Sequence, residues 1–194
     1  MSSLGGYPLN QTQNTTAKKH FVGSVCIDLL LLETSLYLMG KNEEEIEFET
    51  FCERKMGAAL KYENIGFEVG YRLTERLTQS KMLGSELLDS VKFICKDFWN
   101  EIFAKQVDKL QTDHSGTFVL RDLNFKWLGM FSPDRSITER NHTWFNLQFP
   151  CGLVRGALAS LGQNSTVKAE FWDSKTNQST LPAISFTVKL KHVY

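Results

Sequence analysis

Between residues 21 and 39 the chain reads FVGSVCIDLLLLETSLYLM, dense in leucine but broken by Asp28, Glu33 and small polar side chains. A membrane span needs about 18 or more nearly uninterrupted apolar residues. Only four leucines run together here. The stretch therefore predicts a soluble helix with too many apolar positions for one face, the pattern of a helix covered on two sides, once by its own core and once by something else. Gly40 ends it, and an acidic run at Glu43, Glu44 and Glu45 follows, to which no binding role is assigned. From 50 to 78 the period is again helical, with Ile65, Val69, Leu73 and Leu77 four residues apart on one stripe. Beside that stripe sit Gly66 and Gly70, in GFEVGYRLTERL, although each glycine costs a helix roughly 1 kcal/mol relative to alanine. A second pair, Gly152 and Gly156, stands in CGLVRGAL. Two bare positions one turn apart let another backbone approach closely, and the packing gained offsets the propensity lost. Both pairs are thus read as sites of close helix packing.

The segment 84–104, GSELLDSVKFICKDFWNEIFA, places Leu87, Val91, Ile94, Phe98 and Ile102 on one face and widens it with Leu88, Cys95, Trp99 and Phe103. Ser85 is its candidate N-cap, with Glu86 and Asp89 in the first turn, and it is expected to be the most buried helix. Strand patterning follows: QVDKLQT and TFVLRD form a hairpin across Gly116. The stretch KWLGMFSPDRSITERNHTWF, with Gly129 and Pro133, reads as a long connecting loop. PCGLVRGALASLG is a helix opened by Pro150 and closed by Gly162. STVKAEFWD and PAISFTVKLKHV finish the chain as two strands joined by SKTNQST, the last one alternating Phe186, Val188 and Leu190 with Thr187, Lys189 and Lys191. The order helix, helix, helix, hairpin, helix, hairpin predicts an α+β fold, with an antiparallel sheet covered on one side by helices.

At 194 residues the chain suits a single domain, residues 21–194, behind a polar tail, 1–20, that has no hydrophobic period. Lys+Arg and Asp+Glu number 22 each, so no overall basic field exists to attract nucleic acid. No secretory signal is evident at the N-terminus, and a cytosolic protein is expected. The five glycosylation sequons at Asn10, Asn14, Asn141, Asn164 and Asn177 are accordingly read as chance. Cys26, Cys52, Cys95 and Cys151 lie far apart and are read as small, mostly buried thiols.

Local catalytic signatures are missing: there is no nucleophile elbow, no zinc-binding helix motif and no phosphate-cradling loop. His20, His114, His142 and His192 fall in the tail, a turn, a loop and the terminus and are read as solvated. Neither catalysis nor a metal or cofactor is expected. Arg155, between the second pair of glycines, is read as snorkelling over apolar packing.

Taken in order, GFEVGYRLTERL, LLDSVKFICKDFWNEIFAKQVDKLQTDHSGTFVLRD and CGLVRGALASLG resemble the small subunits of the transport protein particle (TRAPP) complex, in its subunit-6 branch, over roughly residues 21–194. The resemblance implies four helices in one layer packed on a twisted antiparallel four-stranded sheet. It implies a non-catalytic scaffold subunit that pairs through its helices with an acylated sibling subunit, a homodimer being possible in isolation. The pairs assemble with other TRAPP subunits into a complex that tethers vesicles and promotes nucleotide exchange on a Rab-family GTPase in ER-to-Golgi and intra-Golgi transport. This chain's link to the GTPase and to Golgi and endoplasmic reticulum membranes would be indirect and peripheral, through the complex. On that reading Leu29, Leu30, Leu32, Leu36, Tyr37, Ile65, Val69 and Leu73 form the dimer interface. The sibling's acylated cysteine sits near the start of its long middle helix; here SKMLGSELL has Gly84 in that neighbourhood, and Cys95 lies about three turns further on, so no covalent lipid is expected. The competing reading is a small-molecule-binding domain that holds an apolar ligand between helices and sheet.

Overall fold

The leucine-rich segment forms α1 (Ser24–Met39), ended by Gly40 at φ +79°, and a helix of 31 residues, α2 (Phe48–Thr78), follows. A third helical run is continuous but changes pitch: α3 (Leu87–Phe93) passes into a π-turn (Ile94–Phe98) and then α4 (Trp99–Phe103). Ala104 closes the run in the left-handed region at φ 56°, and the Val107 amide donates to the Cys95 carbonyl at 3.0 Å. The computed structural model describes residues 24–40, 46–79, 87–113, 115–128, 137–173 and 178–191. The expected tail, the acidic run, and Gly84 with the Ser85 cap lie outside the described residues.

Strands β1 (Lys109–Thr112) and β2 (Thr117–Asp122) form the expected hairpin, with Gly116 at φ +92° in the turn. A short 3-10 turn (Lys126–Leu128) leads on from it. From Ile137 the segment read as a long connecting loop is instead a helix, α5 (Ile137–Asn146), which carries His142 half-buried on its side, so the loop reading fails there, as does that of a solvated His142, while Gly129 and Pro133 lie outside the described residues. After Leu147 the chain continues as α6 (Gln148–Ser160), with nine of its 13 residues buried. That makes α6, and not the run from Leu87, the most enclosed helix: Leu88 at the start of that run is 43% exposed.

Strand β3 (Ser165–Glu170) stops at buried Phe171, and two-residue strands β4 (Trp172–Asp173) and β5 (Gln178–Ser179) pair separately before β6 (Ile184–Leu190). The main sheet has the order β1-β2-β6-β3 with every neighbour antiparallel. Its inner face presents Phe118, Leu120, Val167, Ile184, Phe186 and Val188 to the helices. Aromatic rings carry the core upward from there: Phe186 meets Trp99 and Phe125 at 5.5 Å each, Phe125 meets Phe103 at 5.0 Å, and Trp127 meets Phe149 at 5.8 Å. Offset and edge-on ring pairs of this kind add to the burial of their area. Asp122, 1% exposed, anchors helix to sheet by accepting from the Trp99 indole and the Asn124 amide at 3.0 Å each and pairing with Lys105.

Candidate functional site, a glycine crossing under an apolar helix face

The buried side of α2 consists of Phe51, Ala59, Tyr62, Gly66, Gly70 and Thr74, a strip whose C-terminal half is mostly small residues. A Cβ placed on Gly66 would collide with the Phe149 carbonyl of α6, and one on Gly70 with the Leu153 carbonyl. The reverse holds for α6: Gly152 faces the Glu63 carbonyl and Gly156 that of Phe67. The pairings advance together along both helices, so α2 and α6 run parallel, each offering carbonyl, glycine, carbonyl, glycine to the other in the same spacing. Arg155, between the α6 glycines, locks the crossing from the rim. Its Nε donates to Glu63 Oε1 at 2.7 Å, an Nη donates to Asn64 Oδ1 at 3.1 Å, and the guanidinium lies 4.4 Å from the Phe67 ring centroid. Snorkelling is therefore only part of its role.

The crossing supports an open surface. On α1, Ser35 and Met39 are buried, whereas the opposite side carries Val25, Leu29, Leu30 and Tyr37 at 63, 52, 65 and 84% exposure, with Leu36 among them at 39%. Glu33 is the charged residue on that face. Ile65 and Val69 on α2 are also exposed, at 43 and 45%. Leu32 and Leu73 are half-buried, and Leu73 packs against the core. Between α1 and the C-terminal half of α2 runs an open crevice of about 420 Å³, walled by Ile27, Leu30, Val69, Leu73 and Ile102 and floored by Trp127, Phe149 and Leu153. Arg76, Lys126, Glu101 and Asp28 stand around it. A smaller pocket of about 30 Å³ beside Tyr62, Leu147 and Pro150 has room for a water or two.

The thiols divide by region: Cys26 is exposed on α1, Cys52 half-buried, and Cys95 and Cys151 buried, so the reading of mostly buried thiols fails for the first. Burial pushes Cys52 up to about 11, with the neighbouring Glu49 adding to it, and burial pushes Cys95 up to about 12. Cys151, enclosed under the crossing, is raised further by burial and then by Glu63. Asn141, in one of the sequons, is 3% exposed, and its side-chain amide donates to the Ile46 carbonyl at 2.9 Å. Among the described residues no group of three or more His, Cys, Asp or Glu side chains could hold a metal ion, and no helix is long and apolar enough to cross a membrane.

A family model described as "Transport protein particle (TRAPP) component" matches residues 27–191, from α1 through the last strand. The chain belongs to the TRAPP component family. Within TRAPP it falls in the subunit-6 branch. It is 44% identical over 131 residues to trafficking protein particle complex subunit 6b of Danio rerio, covering 68% of this chain and 78% of that one. To subunit 6B of Homo sapiens it is 43% identical over 131 residues, 68% and 77% of the two chains. To human subunit 6A it is 40% identical over 126 residues, 65% and 74%. A solved TRAPP structure, subunit 3 from Naegleria fowleri covalently bound to palmitic acid, superposes with a TM-score of 0.60 at 16% identity, covering 88% of this chain and 98% of that one. The expected α+β arrangement of helices on a four-stranded antiparallel sheet is thus the TRAPP subunit fold.

Proposed function

We propose that this TRAPP family member is a non-catalytic scaffold subunit whose α1 and α2 outer face pairs with a sibling TRAPP subunit, the pair then joining other subunits of a vesicle-tethering, Rab-exchange complex at the surface of Golgi and endoplasmic reticulum membranes. The observation that carries the reading is the apolar outer face of α1, with Leu30 65% and Tyr37 84% exposed on a helix whose opposite side already meets the core. A stable pairing buries about 800 Å² per partner, and large side chains at its centre dominate the energy. Leu29, Leu30, Leu36, Tyr37, Ile65 and Val69 supply such a centre, and the crevice beside them receives the partner's side chains. Leu32 and Leu73, half-buried already, position the face and contribute less contact. Absence of a covalent lipid accompanies this role, since Gly84 stands in the neighbourhood where the sibling carries its acylated cysteine.

The crevice also favours a second reading, an apolar small molecule held at the same place. One experiment separates them. Co-expression with the acylated sibling subunit, followed by size-exclusion chromatography with light scattering, should give a one-to-one complex that Leu30→Glu with Val69→Glu abolishes while helical circular dichroism is kept. A wild-type chain that stays monomeric beside the sibling, and carries an apolar ligand in native mass spectra, would establish the second reading instead.

A further inference from the structure

Two carboxylates hold the turn that carries Trp127. Asp108, just before β1, accepts from the Leu123 amide at 2.7 Å, and Asp122, at the end of β2, accepts from the Asn124 amide at 3.0 Å, so successive residues leading into the 3-10 turn (Lys126–Leu128) are each tied to an acid. One cation serves both acids. The Lys105 ammonium donates to Asp108 Oδ2 at 3.1 Å and pairs with Asp122 Oδ1, while the second Asp122 oxygen accepts from the Trp99 indole. Lys105 is placed there by Ala104, whose left-handed φ of 56° ends α4. Asp122 is 1% exposed, and a buried carboxylate stripped of its cation is left with an uncompensated charge. The Leu123 amide, with Lys105, holds the Asp108 carboxyl below its ordinary value, so it stays ionised and available to the ammonium.

Trp127 is the half-buried ring that floors the open crevice between α1 and α2, and it lines the smaller pocket as well. It rests on Phe103 at 4.8 Å and Phe125 at 6.1 Å, and both of those rings pack on Trp99, at 4.7 and 6.4 Å. Two routes thus run from the Lys105 cluster to the crevice floor, one through the backbone of 123–127 and one through the rings. Leu123, Asn124 and Lys126 are exposed, so the stretch is fixed by the two acids and by Phe125, whose amide donates to the Pro182 carbonyl at 3.1 Å. We infer that Lys105 is a positioning residue for the crevice: by neutralising Asp108 and Asp122 it fixes the turn that carries Trp127, and with it the depth of the floor on which a docking side chain rests. The part played in docking rests on the pairing function proposed for this face, whereas the position of the floor is a property of the chain alone.

The test is fluorine NMR of the full chain labelled with 5-fluorotryptophan, the Trp127 line being assigned by Trp127→Phe, together with titration of the sibling subunit. Lys105→Gln is expected to shift or broaden the Trp127 line and to leave in place that of Trp144, which packs on Phe48 and Phe51 of α2. Lys105→Arg, which keeps the charge, should restore the wild-type line. Asp108→Asn, at a partly exposed site that tolerates the change, should move the line in the same direction by less, and it carries the same test if Lys105→Gln is insoluble. A floor correctly placed only about a tenth of the time lowers apparent affinity for the sibling about tenfold, the loss expected for Lys105→Gln and recovered by Lys105→Arg. Val167→Ala, a core truncation on β3, lowers the melting temperature by other means and should leave the Trp127 line where it is. The inference is overturned by an unmoved Trp127 line in Lys105→Gln, by equal movement in Val167→Ala, by failure of Lys105→Arg to restore the line, or by unchanged sibling affinity where the line has moved. A wild-type chain that ignores the sibling altogether refutes the pairing function, and the fluorine lines then decide the positioning role on their own.

Discussion

The two faces of α2 solve opposite problems with opposite residues. Toward α6 the helix meets a second backbone through Gly66 and Gly70, and affinity there comes from closeness. Away from it, Ile65 and Val69 stand exposed beside the leucines of α1, and the side chains extend past the fold's own packing. Hydrophobicity scales rank these faces the wrong way round, since the small-residue strip is the buried one. Packing depends on shape as well as transfer from water, and a helix pair in near backbone contact gains dispersion and carbonyl contacts that leucines would prevent.

That contrast can be broken hardest at the crossing. Gly152→Leu forces a side chain into the Glu63 carbonyl, with no flexible neighbour to move aside. A loss of more than about 3 kcal/mol, seen as a melting temperature lower by roughly 10 °C or as insoluble protein, is expected. Folding at wild-type stability would mean that the helices can separate without cost. Next in size is Arg155→Ala, which strands the Glu63 carboxylate at the rim and removes the guanidinium from Phe67. About 2 kcal/mol should be lost in urea titration, and Arg155→Lys should recover only part because it cannot form the same fork. On the open face the effect shrinks: Leu30→Gln should move the isolated chain's stability by no more than about 0.5 kcal/mol. A large loss there would make the residue a core element and remove it from the pairing surface. The gentlest probe uses no substitution. With iodoacetamide at pH 8, Cys26 should be alkylated first and Cys151 last, since raised thiol pKa values and burial both suppress thiolate at the inner positions. Seating of a partner on α1 should slow Cys26 alone.

Much of this could be read before any coordinates. The leucine surplus over 21–39, the stops at Gly40 and Gly162, the hairpin across Gly116 and the alternation of the last strand are all local signals, and local chemistry fixes them. Both glycine pairs were visible, but that they face one another was not, because spacing within each helix carries no information about the distance between helices. α5 escaped for a different reason: its buried positions include Asn141 and Thr143, so no apolar period marks it, and Gly129 and Pro133 just upstream carry the grammar of a loop. The π-turn at Ile94–Phe98 has no sequence signature at all. Family likeness, and not periodicity, assigned the outer residues of α1 to pairing.

Polar ties hold α1 to its neighbour: the Tyr62 hydroxyl donates to the Leu31 carbonyl at 3.1 Å, and the Lys55 ammonium donates to the Met39 carbonyl at 2.9 Å, next to the helix's closing glycine. Both reach across from the tips of long side chains, and only Ser35 and Met39 of the described α1 residues are fully enclosed. Such an element opens at low free energy while the rest stays shut. Amide hydrogens along Leu29–Leu36 will therefore trade with deuterium sooner than those of α6, and a docked companion would convert this loosely pinned rod into one of the slowest-exchanging parts of the molecule.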